Sequence, residues 1–402
     1  MAPDQQNPAM KEGIFGFVAS SVKNNIRQYT MVIALLAIWG IFTALTGGDF
    51  LTARNLSTLY LQTGVVAILA IGMTMIIVAG HIDLSVGAVV GFTGAFAAWL
   101  NVNAGLPVVP TVLLTLGAGA VIGLWHGFWV AYRKVPAFIV TLSSMLILRG
   151  AVMQVTGGGT IGNLAPGFKA IGQEYLPRLF PNVTVIHDLT LGFIVLAILA
   201  FLLLESRNWR TKKRYGFPVL PPAIEAARLM FFAAVIALFA SPMLFYQGIP
   251  NIVLITLVLA LGFQFLAENT VFGRQIYAIG GNPEAARLSG VNIRQRTLVL
   301  FVIMGLIGAA GGIAFTARLN GASTNAGQGM ELDVIAAVVV GGTSLLGGEG
   351  FIVGSLVGAL VMASIDNGLG FFGNLDARWQ YMIKGLILLL AVWADMATRK
   401  KS

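Results

Sequence analysis

The feature that most constrains this chain is a succession of near-unbroken apolar runs, each close to the ~20 residues an α-helix needs to cross a ~30 Å hydrocarbon core. Ten such runs fall at roughly 30–46, 60–80, 84–101, 108–131, 136–154, 188–204, 226–246, 250–267, 297–318 and 380–396 of the 402 residues. A further apolar stretch, 334–367, is interrupted by Gly341-Gly342-Thr343-Ser344-Leu345-Leu346-Gly347-Gly348-Glu349-Gly350 and reads as two helices meeting inside the protein. In lipid every backbone N–H and C=O must find its partner within the protein, which leaves helices as the way to build such a chain. The expected fold is an all-α polytopic membrane protein of about ten transmembrane helices plus a glycine-broken re-entrant helix pair.

Charged residues make up only 10% of the chain and apolar ones 57%, which excludes a water-soluble globule. The first 29 residues are polar, and the run after them lacks a small-residue cleavage site, so it is expected to be a first span rather than a removed signal. Lys and Arg concentrate in the N-terminal arm, at Arg133-Lys134, in 205–222, in 268–296 and in the tail, and the positive-inside rule makes these segments cytoplasmic. The net charge of +9 therefore records topology and not nucleic-acid binding. The turn from His81 to Ser85 fits poorly, because the same layout puts it inside without a basic residue. The expected organisation is a cytoplasmic arm 1–29, one transmembrane domain 30–396 and a cytoplasmic basic tail 397–402. The outer loop 157–187 is long enough to cap the outer mouth or dock a partner, and Arg207 to Tyr215, basic with two aromatics, suits anionic lipid headgroups.

Signals of catalysis are sparse. With no cysteine there is no thiolate nucleophile or thiolate metal site. Gly157-Gly158-Gly159-Thr160-Ile161-Gly162 fits a dinucleotide fingerprint but follows a span rather than a strand, and no phosphate loop is present, so ATP would have to be bound by another chain. His81, His126 and His187 lie far apart, without metal-ligand spacing. Ionisable residues near membrane depth are few: Asp83, Glu349 in the glycine-rich break, and Arg149 and Lys384 toward span ends where they can snorkel. Asp83 either caps a helix whose first residue is Leu84 or acts as a gate or contact. Small-residue spacing at Gly119, Gly123 and Gly127, at Gly308 and Gly312, and at Gly354 and Gly358 predicts close helix contact.

The most specific local signal is Tyr277 to Asn292. Asn282 suits an N-cap, Pro283 the first helical position, Glu284 the positive helix end, and Gly290 the position after the C-cap. A helix of two turns is unstable alone in water, so something must hold it. A second Glu-Ala-Ala-Arg-Leu at Glu225 to Leu229 lacks the glycine punctuation.

Together, His81-Ile82-Asp83-Leu84-Ser85-Val86-Gly87, the Gly280 to Gly290 loop and the Gly341 to Gly348 break resemble the permease subunits of bacterial ABC importers for monosaccharides, within a superfamily shared with branched-chain amino-acid permeases. The resemblance covers essentially the whole chain and is nearest to xylose-type or multiple-sugar permeases. It implies a multi-pass protein of the bacterial inner membrane with cytoplasmic termini, paired with a second copy of itself. It further implies a cytoplasmic ATPase that binds ATP and Mg, no cofactor on this chain, and a periplasmic sugar-binding protein. The residues matching the coupling helix are Gly281, Asn282, Pro283, Glu284, Ala285, Ala286, Arg287, Leu288, Ser289 and Gly290. Pore or gate candidates are Asp83, Ser85, Trp125, Gly342, Thr343, Ser344, Gly354 and Asn367. A neutral sugar suits a path with so few charges, since a charged solute would need opposite charges at depth. An ion-coupled carrier is the alternative, a broken helix being how such carriers build midplane sites; a membrane-embedded enzyme and a channel are more distant ones.

Overall fold

A computed structural model of the chain describes residues 26–180, 186–217, 219–372 and 377–399. Nearly all of the N-terminal arm, Pro181 in the outer loop and residues 400–402 of the tail lie outside the described residues. In chain order the helices are α1 (Ile26–Leu45), α2 (Ala53–Val78), α3 (Val86–Ala98), α4 (Val108–Ala131), α5 (Ala137–Thr156), α6 (Pro166–Gln173), α7 (Asp188–Arg214), α8 (Pro222–Phe245) and α9 (Asn251–Asn269). They continue with α10 (Val271–Gly281), α11 (Pro283–Leu288), α12 (Ile293–Leu319), α13 (Met330–Val340), α14 (Ile352–Gly370) and α15 (Ala377–Arg399). A π-helical turn, Trp99–Asn103, prolongs α3, and two short strands, β1 (Thr160–Gly162) and β2 (Gly321–Ser323), pair antiparallel.

Among the described residues nine helices are long and apolar enough to cross a membrane: α2, α3 with its π turn, α4, α5, α7, α8, α9, α12 and α14. Eight of them carry runs expected as full crossings; the ninth, α14, is the second half of the broken pair, while α1 contributes a shorter apolar stretch, Met31–Leu45. The run 380–396 lies within α15. Two expected loops contain regular structure. The segment 205–222 is helix as far as Arg214, because Lys212, Lys213 and Arg214 complement the negative end of α7 and only 215–221 is left as connection. The outer loop holds β1 and α6. The glycines expected as a chance nucleotide match end α5, with Gly157 and Gly158 at positive φ.

The helices group into two compact units. One contains 51–57 and 175–249, and its body is the hairpin of α7 and α8. Arg228 pairs with Glu205 at 2.6 Å and with Glu225 at 2.7 Å, while Trp209 Nε1 donates to the Leu220 carbonyl at 3.0 Å. The second Glu-Ala-Ala-Arg-Leu is thereby part of a transmembrane helix. Most side chains of α7 and α8 point outward.

The other unit contains 31–50, 58–174 and 250–402. Its interior is built by α12 lying between α3 and α4. Gly119 of α4 faces Gly305 of α12, and Gly123 faces the Phe301 carbonyl, so closely that a Cβ at Gly305 would fall on the Gly119 carbonyl oxygen. Gly308 and Gly312 make room for the side chains of Val89 and Thr93 of α3. Dispersion between closely approaching backbones replaces the hydrophobic drive that lipid removes. The small-residue spacing is therefore satisfied by contacts within the chain; Gly354 and Gly358 likewise lie on the carbonyls of Gly341 and Ala337, seating α14 against α13.

Gly305→Ala is expected to lower the thermal unfolding temperature of the purified chain by several degrees or to prevent its accumulation, since overpacking costs about 1–3 kcal/mol. Gly117→Ala on the same helix pair, where an added Cβ meets nothing within 4 Å, is the control. It should unfold at or slightly above the wild-type temperature, because alanine is the better helix former.

Candidate functional site: a cavity bounded by three irregular segments

The three motifs singled out in the sequence meet at one place. α2 ends at Val78, and the chain does not re-enter a helix until Val86. Within this connection Asp83 is 2% exposed and Ser85 fully buried, while Gly80 is exposed. The His81 ring lies 5.7 Å from the ring of Phe301, itself roughly 12 Å along α12 from Ile293 at 1.5 Å per residue. The turn is thus irregular backbone set back from the start of α12 and partly enclosed by protein.

Asp83 is not the helix cap. The N-cap position of α3 is Ser85, and its side chain makes no capping bond. Instead the Asp83 carboxylate accepts from the Ser85 N–H at 2.8 Å and from the Ser85 hydroxyl, while the Leu84 N–H donates to Thr141 Oγ1 at 3.1 Å. Two turn residues and α5 therefore satisfy polar groups that a helix would otherwise use. Gly87 completes the motif: a side chain there would collide with Glu331 and the Gly327 carbonyl.

The glycine-rich break seats itself on the end of α2. The Gly348 N–H donates to the Val78 carbonyl at 2.8 Å, and the Tyr277 hydroxyl of α10 donates to the Gly350 carbonyl at 2.7 Å. Burial pushes the Tyr277 phenol up, so it remains a donor. Gly280 leaves room for Val78 and Gly348, its missing Cβ falling on the Val78 carbonyl. Within the break, Ser344 donates its N–H to the Glu349 carbonyl at 3.0 Å and accepts at Oγ from the Leu346 N–H at 3.3 Å. Thr343 and Ser344 are buried, and Gly342 adopts φ +86°. α13 ends at Val340, where the glycine-rich run begins.

α11 forms as its sequence demands. Asn282 Oδ1 accepts from the Ala285 N–H at 3.0 Å, and Pro283 occupies the first turn. Val291 N–H bonds to the Ala286 carbonyl at 3.1 Å and Gly290 N–H to that of Arg287 at 3.0 Å, around Gly290 at φ +84°. This is a Schellman ending. Glu284 pairs with Arg287, whose guanidinium holds the carboxyl below its usual range. Ala286 alone faces the chain, 4% exposed; Leu288 stands 78% exposed.

Between these segments opens a cavity of about 1320 Å³, walled by the 79–82 peptide, the 130–138 turn, the chain from Ile279 through α11 to Thr297, and Leu346. Lys134, Arg287 and Arg294 give it a basic rim. None of the eight pore or gate candidates lines it: Asp83, Ser85, Gly342, Thr343, Ser344 and Gly354 belong to the segments behind its walls, Trp125 is half exposed on α4, packed edge-on to Trp129 at 5.4 Å, and Asn367 sits on α14. Among the described residues no group of three His, Cys, Asp or Glu is placed to hold a metal ion.

Two charged groups expected to snorkel are paired inside. Arg149 donates to the carbonyls of Ala326 at 2.8 Å and Gly327 at 3.0 Å, with Glu331 at 4.0 Å. Lys384 bridges Asp333 and Asp366, each at 2.8 Å. These carboxylates escape sequence reasoning because no motif marks them. The only signal is an acidic residue within an apolar helix, which Asp366 supplies.

Residues 55–392 match the family described as branched-chain amino acid transport system, permease component. The chain belongs to this family. It is 44% identical over 383 residues to the xylose transport system permease protein of Escherichia coli (strain K12), covering 94% of both chains. The protein of the same description from Haemophilus influenzae is 41% identical, covering 94% of this chain and 98% of the other. The ribose import permease protein of Escherichia coli (strain K12) is 35% identical, covering 92% and 94%. No solved structure matches. With nine apolar helices and these relatives, the chain is a multi-pass membrane permease component.

Tyr277→Phe removes one hydrogen bond between α10 and the break, worth about 1 kcal/mol. A drop of about 1 °C in thermal unfolding is expected, with the secondary structure retained by circular dichroism; unchanged unfolding would mean the bond carries no stability.

Proposed function

We propose that the chain is the membrane-spanning permease of an ATP-driven importer for a neutral monosaccharide, a xylose-like pentose or a hexose. The observation that carries the mechanism is α11: a doubly capped helix of six residues, too short to persist unaided, anchored by Ala286 and presenting Ala285 and Leu288 outward. Such a helix is suited to rest in a groove of a cytoplasmic ATPase that binds ATP and Mg, this chain carrying no cofactor of its own. Movement there reaches the glycine-rich break through Tyr277 and the Gly280–Gly348 contact, and the cavity shares α11 as a wall. A periplasmic sugar-binding protein delivers the solute, and a second copy of the chain completes the pore. Residues 30–396 form the permease domain in the inner membrane, with the arm and tail cytoplasmic. Asp83, Ser85, Gly342, Thr343, Ser344 and Gly354 act by shaping the irregular segments around the path, with Trp125 and Asn367 as further candidate contacts.

An ion-coupled carrier is disfavoured by α11, which such a carrier does not need, and by the relatives, which are permease components of transport systems. Uptake driven by an ion gradient in the absence of any ATPase would reverse that preference.

Ala285→Trp and Leu288→Asp are expected to abolish ATPase-coupled uptake in reconstituted vesicles, with the chain still inserted and folded. Ala286→Trp is not a clean probe, because that side chain packs within the chain. Uptake and ATPase stimulation at wild-type levels in both outward variants would remove the coupling role.

The chain has no native cysteine, so a single Cys at Ser289 should react with a membrane-impermeant reagent only from the cytoplasmic side. One at Asn163 should react only from outside. Outside labelling at Ser289 would invert the proposed orientation.

A further inference from the structure

Lys384 lies seven positions into α15, roughly 10 Å from Ala377, and reaches both Asp333 of α13 and Asp366 of α14. Its ammonium stands 2.8 and 3.0 Å from the two Asp333 oxygens and 2.8 Å from Asp366. Two carboxylates and an ammonium at this depth are costly to insert, and such groups ordinarily face protein or a polar path. Beside them is a cavity of about 140 Å³ lined by Gln328, Asp333, Gln380 and Lys384, with Leu332 and Leu388 among its apolar members.

On the reading that this chain passes a neutral sugar, we infer that this cavity is a hydroxyl-binding subsite for the monosaccharide on its way through the membrane. Its chemistry fits a polyol better than an ion. The ammonium already occupies the position between the carboxylates that a cation would take, and an anion in the cavity would meet the Asp333 carboxylate beside an ammonium already neutralised by two carboxylates. What remains is hydrogen-bonding capacity: carboxylate lone pairs beyond those engaged by Lys384, and two amides that each donate and accept. A sugar hydroxyl also does both. Leu332 and Leu388 offer an apolar surface for the C–H face of a ring. Weak binding is expected, since a transport path must release what it holds.

The subsite is tested on the full-length chain assembled with its ATPase and binding protein in vesicles. Changing Lys384, Asp333 or Asp366 risks the fold, so the amides are used. Gln328 is exposed, and Gln328→Cys places the chain's only thiol at the cavity. Excess D-xylose or D-ribose should slow its reaction with a maleimide several-fold, whereas sodium chloride at equal osmolarity should not. Gln380→Leu should lower sugar uptake roughly five- to tenfold, the loss of about one hydrogen bond. Protection by sodium but not sugar, or unprotected labelling together with wild-type uptake by Gln380→Leu, overturns the subsite while leaving the proposed function standing. A wild-type complex that moves no monosaccharide overturns the function itself, and the sugar with it.

Discussion

The hydrogen bond from the Gly348 N–H to the Val78 carbonyl holds together the part of this protein that is not regular helix. Where α2 stops, the carbonyls of Met75, Ile76 and Ile77 are taken by the N–H groups of Ala79, His81 and Gly80, which leaves the Val78 carbonyl in need of a partner. The glycine-rich break answers that need, and its glycines allow the backbones to come close enough. Gly280, Gly347 and Gly348 each touch another backbone directly. The break in turn fixes the separation of α13 from α14 and, through Tyr277, the place of α10. Irregular backbone here is not slack; each of the three segments satisfies the polar groups of another.

The same economy governs charge. Arg149 is not left to reach for an interface: its guanidinium fork is spent on two carbonyls of the 326–327 turn, with Glu331 close by. That segment is a run of turns between β2 and α13, and a planar bidentate donor is suited to hold it. Gly87 and Gly91 of α3 allow the turn to lie against the helix, since a Cβ at either would strike its carbonyls. Lys384 plays a comparable part for three helices at once. Breaking either cluster by removing one member would leave an uncompensated buried charge, which costs far more than the pair itself contributes.

The helices were legible because apolar length is a strong signal that tertiary contacts do not override. α11 was legible for a different reason: Asn282, Pro283 and Gly290 each have a local job that does not depend on what surrounds them. Asp83 shows the limit. An Asp before a run of apolar residues reads as a cap, yet the helix begins later and Asp83 turns to Ser85, because Gly87 draws α3 against Glu331. Lys384 shows it again, since snorkelling and pairing differ only in whether a carboxylate lies within reach, and Asp333 and Asp366 are brought there by the break. The basic run 207–214 misled in the opposite sense: polarity suggested loop, whereas its residues are good helix formers continuing α7.

The break has a further consequence for how α13 and α14 can move. Both are packed along Gly341, Gly354 and Gly358, where backbone meets backbone. Such surfaces slide more readily than interdigitated ones, because no rotamer must change. At the opposite end from the break the two helices meet at Lys384, where separation would expose charge. A displacement that begins at α10 is therefore resisted little along the helices and strongly at the ion cluster. If α11 is driven by a partner, in the proposed function, the work delivered is opposed chiefly where Asp333 and Asp366 share one ammonium, and that is also where the small polar cavity lies.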